Sequence, residues 1–331
     1  MPVTTLLLTL LLLAIGSQPS QTPTPNQTRP HQRVTQTETI GRRQDLKSLP
    51  GATLFTGPRF NPNKPVPLVI HFHGAPWLIE AHVARYLPKA ALITVQLGAG
   101  SSAYRRPFEQ PDLFRNLLTE AGQSLSIKRG WSSITLTGFS AGYGGVREIL
   151  RRPEYFALVN NVLLLDGMHA SYSPEGKPLA DGGTIQPSDI DIFVTFARAA
   201  VATRTAVAAR TAVATRTAVA ARETAAARET AATRATAATR AAVAARKTFV
   251  VTHSEIFPGT YASTTECADY LLTHLSLKRR PKPANGPMGM QQLSSVDAGH
   301  LHVRGYSGNT APDHVDFLHA MPAWFGLLRI R

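Results

Sequence analysis

The pentapeptide Gly138-Phe139-Ser140-Ala141-Gly142 constrains the fold of this chain more than any other sequence feature. An apolar and β-branched run, 134–137, comes directly before it, and an Ala- and Val-containing segment follows, which together predict a strand, a sharp turn and a helix. Residues that flank the serine in so tight a turn must be small. The pattern therefore predicts a nucleophile elbow, with the Ser140 hydroxyl exposed at the end of a sheet.

A second apolar strand pattern, 66–72, leads into His73-Gly74. Acyl-transfer chemistry needs backbone N–H groups directed at the oxygen that becomes negative in the transition state. A sharp turn after His73-Gly74 would supply one such donor from Ala75, and Ala141 would supply another, whereas Pro76 has no N–H. We therefore expect an oxyanion hole formed by Ala75 and Ala141.

With a His-Gly loop, a serine elbow, a later acid and a C-terminal histidine in this order, the chain resembles the α/β-hydrolase superfamily over residues 50–197 and 247–331. The resemblance implies an α/β fold with a doubly wound, mostly parallel sheet, a Ser-His-acid triad and no cofactor. Alternating strand and helix patterns agree with it. We predict strands at 52–56, 66–72, 91–96, 162–165, 249–252 and 301–306, helices at 80–86, 111–125 and 315–328, and a loop lining the cleft at 97–111.

Two carboxylates follow strand patterns after the serine, Asp166 and Glu255, and either can orient a catalytic histidine. In the resembled superfamily the acid usually follows the next-to-last strand, the position of Glu255, and in some members it lies one strand earlier, the position of Asp166. We favour Asp166 because it follows an apolar run, 162–165, and precedes a glycine.

The histidine that serves as base is expected near the C-terminus. His314 follows the last predicted strand and precedes the terminal helix, which matches the position of the base in the resembled superfamily. His302, within the last strand, is the alternative. We therefore predict a triad of Ser140, His314 and Asp166, with Glu255 and His302 as the alternative acid and base.

Other polar and aromatic residues receive supporting roles. Because His71 and His73 lie two apart on one strand, we expect them to brace the oxyanion loop by hydrogen bonds. Trp77, Tyr104 and Tyr143 are candidate walls of the substrate cleft, together with His73. We expect no metal, since a single cysteine excludes a cysteine-based zinc site as well as an internal disulfide.

The N-terminus has the pattern of a secretory signal peptide at 1–16, with an apolar run too short to span a bilayer and a small-x-small sequence at its end. A Pro-, Thr- and Gln-rich linker is expected at 17–49, before a hydrolase domain at 50–331. The mature protein is therefore expected to be secreted or periplasmic, with no stable membrane span after cleavage.

Arginines recur every six residues from 198 to 246, in units such as Arg-Thr-Ala-Val-Ala-Ala. Nine arginines against Glu223 and Glu229 give this segment a net charge of +7, half of the chain's +14. The Ala-rich composition favours a helix, on which a six-residue step rotates by about 240° and leaves no wide apolar face. We interpret 198–246 as a long helical insertion in the hydrolase domain, either a neutral expansion or a cationic arm that contacts anionic surfaces.

These features predict an exported serine hydrolase that cleaves a small-molecule or polymeric carboxylic ester through an acyl-enzyme intermediate. Two alternatives stay open. A peptidase or amidase would use the same triad, because triad geometry does not fix the leaving group. A non-catalytic, cationic surface-binding protein would use only the hydrolase scaffold and the arginine arm. Nucleic-acid binding is disfavoured, because no aromatic residue is interleaved with the arginines to stack on bases.

Overall fold

The computed structural model describes residues 30–202 and 247–330. The predicted signal peptide at 1–16, part of the linker at 17–29, and residues 203–246 of the repeat insertion lie outside the described residues. Within the part of the chain that is described, no helix is long and apolar enough to cross a membrane.

The described strands build one ten-stranded sheet, in the order β1-β2-β4-β3-β5-β6-β9-β12-β11-β10, and a separate two-stranded hairpin, β7-β8. The strands are β1 (Arg42–Asp45), β2 (Ala52–Thr56), β3 (Val66–Phe72), β4 (Ala91–Val95), β5 (Trp131–Phe139), β6 (Asn161–Leu165), β7 (Tyr172–Ser173), β8 (Thr184–Ile185), β9 (Thr248–His253), β10 (Arg280–Asn285), β11 (Gln291–Ala298) and β12 (Leu301–Tyr306). The central strands β4, β3, β5, β6, β9 and β12 are parallel, and antiparallel pairs complete both edges. This is the mostly parallel α/β architecture that the sequence predicts.

Helices cover both faces of the sheet. They are α1 (Pro76–Tyr86), α2 (Ser101–Phe108), α3 (Leu113–Ser124), α4 (Tyr143–Leu150), α5 (Pro153–Leu158), α6 (187–202), α7 (Thr264–Thr273) and α8 (Ala311–His319). Buried side chains of α1 and α8 belong to the core on one face, and those of α2 to α7 belong to the core on the other. A sheet covered on both faces exposes only its strand ends, and that is where the polar residues of the predicted site lie.

The central strand β3 shows why the sequence folds in this way. All of its side chains are buried, and successive residues alternate between the two cores: Leu68 and Ile70 pack on one face and Val69 on the other. Parallel strands that are covered on both sides need such continuous apolar runs. Its polar residue His71 lies near the carboxyl end, next to the predicted oxyanion loop.

Two parts of the predicted secondary structure are wrong. The stretch 97–111 is not an open loop, because it contains α2, whose residues Tyr104 and Phe108 face the core one helical turn apart. Within the range expected to be linker, β1 pairs with β2 and Leu46 is buried in the core. The terminal helical region is α8 followed by 3₁₀ turns at Met321–Leu327, rather than one helix over 315–328.

Candidate active site

The predicted elbow joins β5 to α4 through a single 3₁₀ turn, Ser140–Gly142. Ser140 has a φ of +48°, a left-handed conformation that costs energy for a residue with a Cβ and that clusters at functional sites. Gly142 is needed for the close approach of this turn to the end of β3, because a Cβ there would lie 2.1 Å from the carbonyl oxygen of Phe72. The turn leaves Ser140 partly exposed at the carboxyl end of β5.

Asp166 and His314 form a hydrogen-bonded pair. Asp166 follows β6, has a φ of +45° and is buried, while His314 lies in the first turns of α8 with its side chain 23% exposed. Their Oδ2 and Nδ1 atoms are 2.7 Å apart. A carboxylate on Nδ1 fixes the imidazole so that Nε2 is the ring nitrogen left for another partner.

Asp166 has further donors besides His314. The Ser254 N–H donates to Oδ1 at 2.8 Å, and the Ser254 hydroxyl donates to Oδ2 at 2.8 Å. Burial alone would raise the pKa of Asp166, but the hydrogen bonds and charge of His314, together with the bonds from Ser254, outweigh burial and hold that pKa below its usual value. Asp166 is therefore a carboxylate at neutral pH, as an orienting acid must be.

Packing brings the serine turn close to this pair. A Cβ on Gly167, directly after Asp166, would lie 2.4 Å from the Ser140 carbonyl oxygen. The ring of Phe139, directly before Ser140, lies 4.5 Å from the ring of His314. Among residues 30–202 and 247–330 no hydrogen bond joins the Ser140 hydroxyl to His314. In ligand-free enzymes this bond is often long and tightens only in the complex with substrate.

The loop after β3 is braced by a buried histidine. The Nε2–H of His71 donates to the carbonyl of His73 at 2.6 Å, and its Nδ1 accepts from the Thr137 hydroxyl at 2.7 Å. Burial lowers the pKa of His71 to about 3, so its ring stays neutral. The bond fixes the loop where His73 adopts a φ of +68°.

The two predicted oxyanion donors lie in turns beside this loop and the elbow. Ala75 is the N-cap residue of α1, and Ala141 is the middle residue of the 3₁₀ turn that begins at Ser140. Both are partly exposed, and no hydrogen bond among the described residues uses either N–H. Gly74, just before Ala75, packs against Leu318 of α8, since a Cβ there would lie 2.8 Å from its side chain. The loop and the helix that carries His314 are therefore in direct contact.

Two of the expected cleft walls differ from prediction. Tyr104 is completely buried, and its hydroxyl lies 2.8 Å from Nδ1 of His73. It therefore holds the His73 ring by a hydrogen bond and does not line a cleft. Tyr143 is also buried, with its hydroxyl bonded to Ser101. Trp77 and His73 remain partly exposed, as a cleft wall must be.

Sequence reasoning missed His169, which lies three residues after Asp166. Its Nδ1 is 3.0 Å from the carbonyl oxygen of Ala262, and burial lowers its pKa. The edges of Tyr143 and Tyr261 meet its ring at centroid distances of 5.6 and 5.1 Å. Tyr261 is 44% exposed and extends this aromatic row towards solvent. The strand-end position was the only sequence signal that pointed to this segment.

The alternative acid and base have other partners. Glu255 is bonded to Gly308 in two ways. The Gly308 N–H donates to Oε2 of Glu255 at 3.4 Å, and the Glu255 N–H donates to the Gly308 carbonyl at 2.9 Å. His302 lies at the beginning of β12, away from the carboxyl ends of the strands, and its Nδ1 is 2.5 Å from Asp297. The structure thus pairs His314 with Asp166, and Glu255 and His302 pair with other residues.

No protein-family model matches this chain, and no curated protein sequence matches it. Among solved structures it is similar to the feruloyl esterase module from Clostridium thermocellum complexed with sinapinate, at 10% identity and a TM-score of 0.43 over 92% of this chain and 99% of that one. It is also similar to a dienelactone hydrolase-like promiscuous phosphotriesterase from metagenomic libraries, at 10% identity and a TM-score of 0.38 over 87% and 98% of the two chains. Likenesses at these scores do not bear on the chemistry of this chain, which follows from its own residues.

Proposed function

We propose that this protein is a serine hydrolase that cleaves a carboxylic ester through an acyl-enzyme intermediate. The observation that carries the proposal is the 2.7 Å bond between Asp166 and Nδ1 of His314, formed beside an elbow that exposes Ser140 at a positive φ. A buried carboxylate that orients a histidine next to a strained serine is the arrangement that activates a hydroxyl for nucleophilic attack.

In the proposed reaction the Ser140 hydroxyl oxygen attacks the ester carbonyl carbon while Nε2 of His314 takes its proton. The oxyanion that forms is stabilised by the N–H groups of Ala75 and Ala141. Collapse of this intermediate breaks the bond to the alcohol, which leaves with the proton from His314. A water molecule then attacks the acyl-enzyme by the same route, releasing the carboxylic acid and restoring Ser140.

The location and the substrate source are part of the same proposal. The signal-peptide pattern at 1–16 and the polar linker after it favour a secreted or periplasmic enzyme that acts on an ester outside the cytoplasm. A polymer or polysaccharide ester is the class that such a location favours. Tyr261, which packs against His169 and is 44% exposed, supports a substrate that presents a flat face.

The test is hydrolysis of p-nitrophenyl esters of increasing acyl length by the mature protein and by Ser140→Ala. The matched control is Ser132→Ala, which removes an exposed serine hydroxyl from the opposite end of the same strand. Activity that persists in the control and vanishes in Ser140→Ala supports the proposal. Absence of activity in all three proteins would favour the non-catalytic surface-binding alternative.

A further inference from the structure

Two consecutive residues directly after β9 contact Asp166 and the loop that leads to His314. Ser254 donates two hydrogen bonds to the carboxylate of Asp166, each at 2.8 Å. Glu255 is bonded through its N–H and its carboxylate to Gly308, in the loop that leads into α8 and His314. One short segment thus holds the acid on one side and, on the other, the loop that precedes the helix carrying the base.

The partners of the Ser254 hydroxyl determine which atom it donates to. Its oxygen accepts from the Ile256 N–H at 3.2 Å, and the carboxylate of Asp166 can only accept. The hydroxyl therefore donates to Oδ2 of Asp166, the same oxygen that receives Nδ1–H of His314. Ser254 is 2% exposed, so little water competes for this bond.

Ser254 is itself fixed by a buried network. Its carbonyl accepts from the Thr265 hydroxyl at 2.7 Å, and Nδ1 of His253 lies 2.8 Å from that hydroxyl oxygen. Nε2 of His253 accepts from Arg279 at 2.7 Å, so its proton is on Nδ1, and Arg279 is paired with Asp269. These hydrogen bonds anchor the backbone at Ser254 next to Asp166.

We propose that Ser254 and Glu255 are positioning residues of the active site, which fix the Asp166 carboxylate and the loop before α8 relative to each other. This inference rests on the proposed function and deepens it, because neither residue is required to touch the substrate. A carboxylate that loses a donor becomes more basic, so it holds the proton on His314 more strongly. The first effect of losing the Ser254 hydroxyl is therefore on the base rather than on substrate binding.

The experiment measures kcat and KM of the full chain on p-nitrophenyl acetate from pH 4 to 9, for wild type and Ser254→Ala. We expect kcat to fall about tenfold with little change in KM, as loss of a hydrogen bond to a charged group implies. We also expect the acidic limb of the kcat/KM profile to move to higher pH. Ser254→Thr, which keeps a hydroxyl, should recover most of the activity, and Glu255→Gln should lower kcat without moving the acidic limb.

Ser133→Ala is the matched control, since Ser133 is also buried on a strand but its hydroxyl has no partner among the described residues. The low-field proton resonance of His314 Nδ1–H provides a second readout, which should shift in Ser254→Ala and not in the control. A Ser254→Ala enzyme with wild-type kcat, pH profile and resonance would overturn the positioning role. If Ser254→Ala does not fold, Ser254→Thr becomes the test. A Ser254→Thr protein that folds but is inactive would equally overturn the positioning role. The proposed function fails separately, if Ser140→Ala keeps full activity.

Discussion

Gly167 lies directly against the backbone of Ser140: a methyl group on its Cα would fall 2.4 Å from the Ser140 carbonyl oxygen and 2.6 Å from its nitrogen. Asp166 is the residue immediately before Gly167, and it carries the hydrogen bond to His314. The separation between the serine turn and the acid therefore depends on the absence of one side chain.

Gly167→Ala should push the acid loop away from the serine turn. A displacement of about 1 Å in a catalytic arrangement costs on the order of 100-fold in rate, and overpacking costs about 1–3 kcal/mol of stability. We expect both losses, measured by kcat on p-nitrophenyl acetate and by urea unfolding. Gly122→Ala in α3 is the control, because its nearest atom would be 3.9 Å away and a helical alanine should stabilise by up to about 1 kcal/mol. If Gly167→Ala and Gly122→Ala had the same kcat and the same unfolding free energy, this packing argument would be contradicted.

Asp166→Asn should lower kcat by about 10⁴-fold, because an amide no longer fixes the required tautomer of His314 or stabilises its charged form. Protein stability should change less than activity, since the amide keeps the volume of the side chain. Asp297→Asn removes the carboxylate bonded to His302 and should leave kcat within twofold of wild type. If Asp297→Asn were the inactive variant, His302 rather than His314 would be the base.

The central strands are predictable from the sequence for a physical reason. β3 and β6 are covered on both faces, so they appear as continuous apolar runs bounded by polar residues. The edge strand β10 carries no such run, because it is mostly exposed and contains two prolines. The sequence pattern of α2 is weak because Tyr104 and Phe108 are its only fully buried residues and Pro107 lies between them.

The sequence predicts site residues only where a side chain suited to acid–base chemistry follows a predicted strand. Asp166 and His314 each follow a strand of the parallel sheet, and the carboxyl ends of such strands meet at one edge. Ser254 also follows a strand, but an uncharged serine there gives no signal until its contact with Asp166 is known. The role of Tyr104 was misjudged because sequence does not tell a tyrosine that lines a cleft from one buried behind a histidine.

Buried neutral histidines should make the fold sensitive to acid. Burial lowers the pKa of His71 to about 3, against about 6.5 in the unfolded chain, and burial together with the charge of Arg279 also lowers the pKa of His253. Between these values the unfolded state binds more protons, so stability falls as the pH decreases from about 6.5 towards 3. The slope is at most about 1.4 kcal/mol per pH unit for each histidine.

Urea unfolding at pH 7.5, 6 and 5 measures this slope. His71→Gln should be less stable than wild type at pH 7.5, because it loses the bonds to His73 and Thr137, but its stability should fall less steeply with acid. A variant whose slope equals that of the wild type would show that His71 does not titrate on unfolding.

The N-terminal segment should stabilise the helix that carries His314. Arg33 lies 2.9 Å from Asp316 of α8 and donates to the Pro312 carbonyl at 2.8 Å, and His31 lies 2.9 Å from the same aspartate. Asp316 is completely buried, so removal of its cationic partner leaves a poorly compensated charge. Arg33→Ala should lower the unfolding free energy by about 1–3 kcal/mol.

Arg59→Ala is the control for that variant, because it removes an exposed arginine with no ion pair among the described residues. Thermal unfolding of both variants should show a lower Tm for Arg33→Ala alone. An unchanged Tm for Arg33→Ala would mean that the contacts of Arg33 with α8 do not stabilise the protein.

The most direct test of the central claim is covalent labelling of Ser140 by a fluorophosphonate, followed by intact-mass and peptide mass spectrometry. The account predicts one adduct, located on Ser140, formed rapidly in wild type, about 10³-fold or more slowly in His314→Ala, and not at all in Ser140→Ala. An unlabelled wild-type protein, or an adduct on another residue, would contradict the assignment of Ser140 as the activated nucleophile.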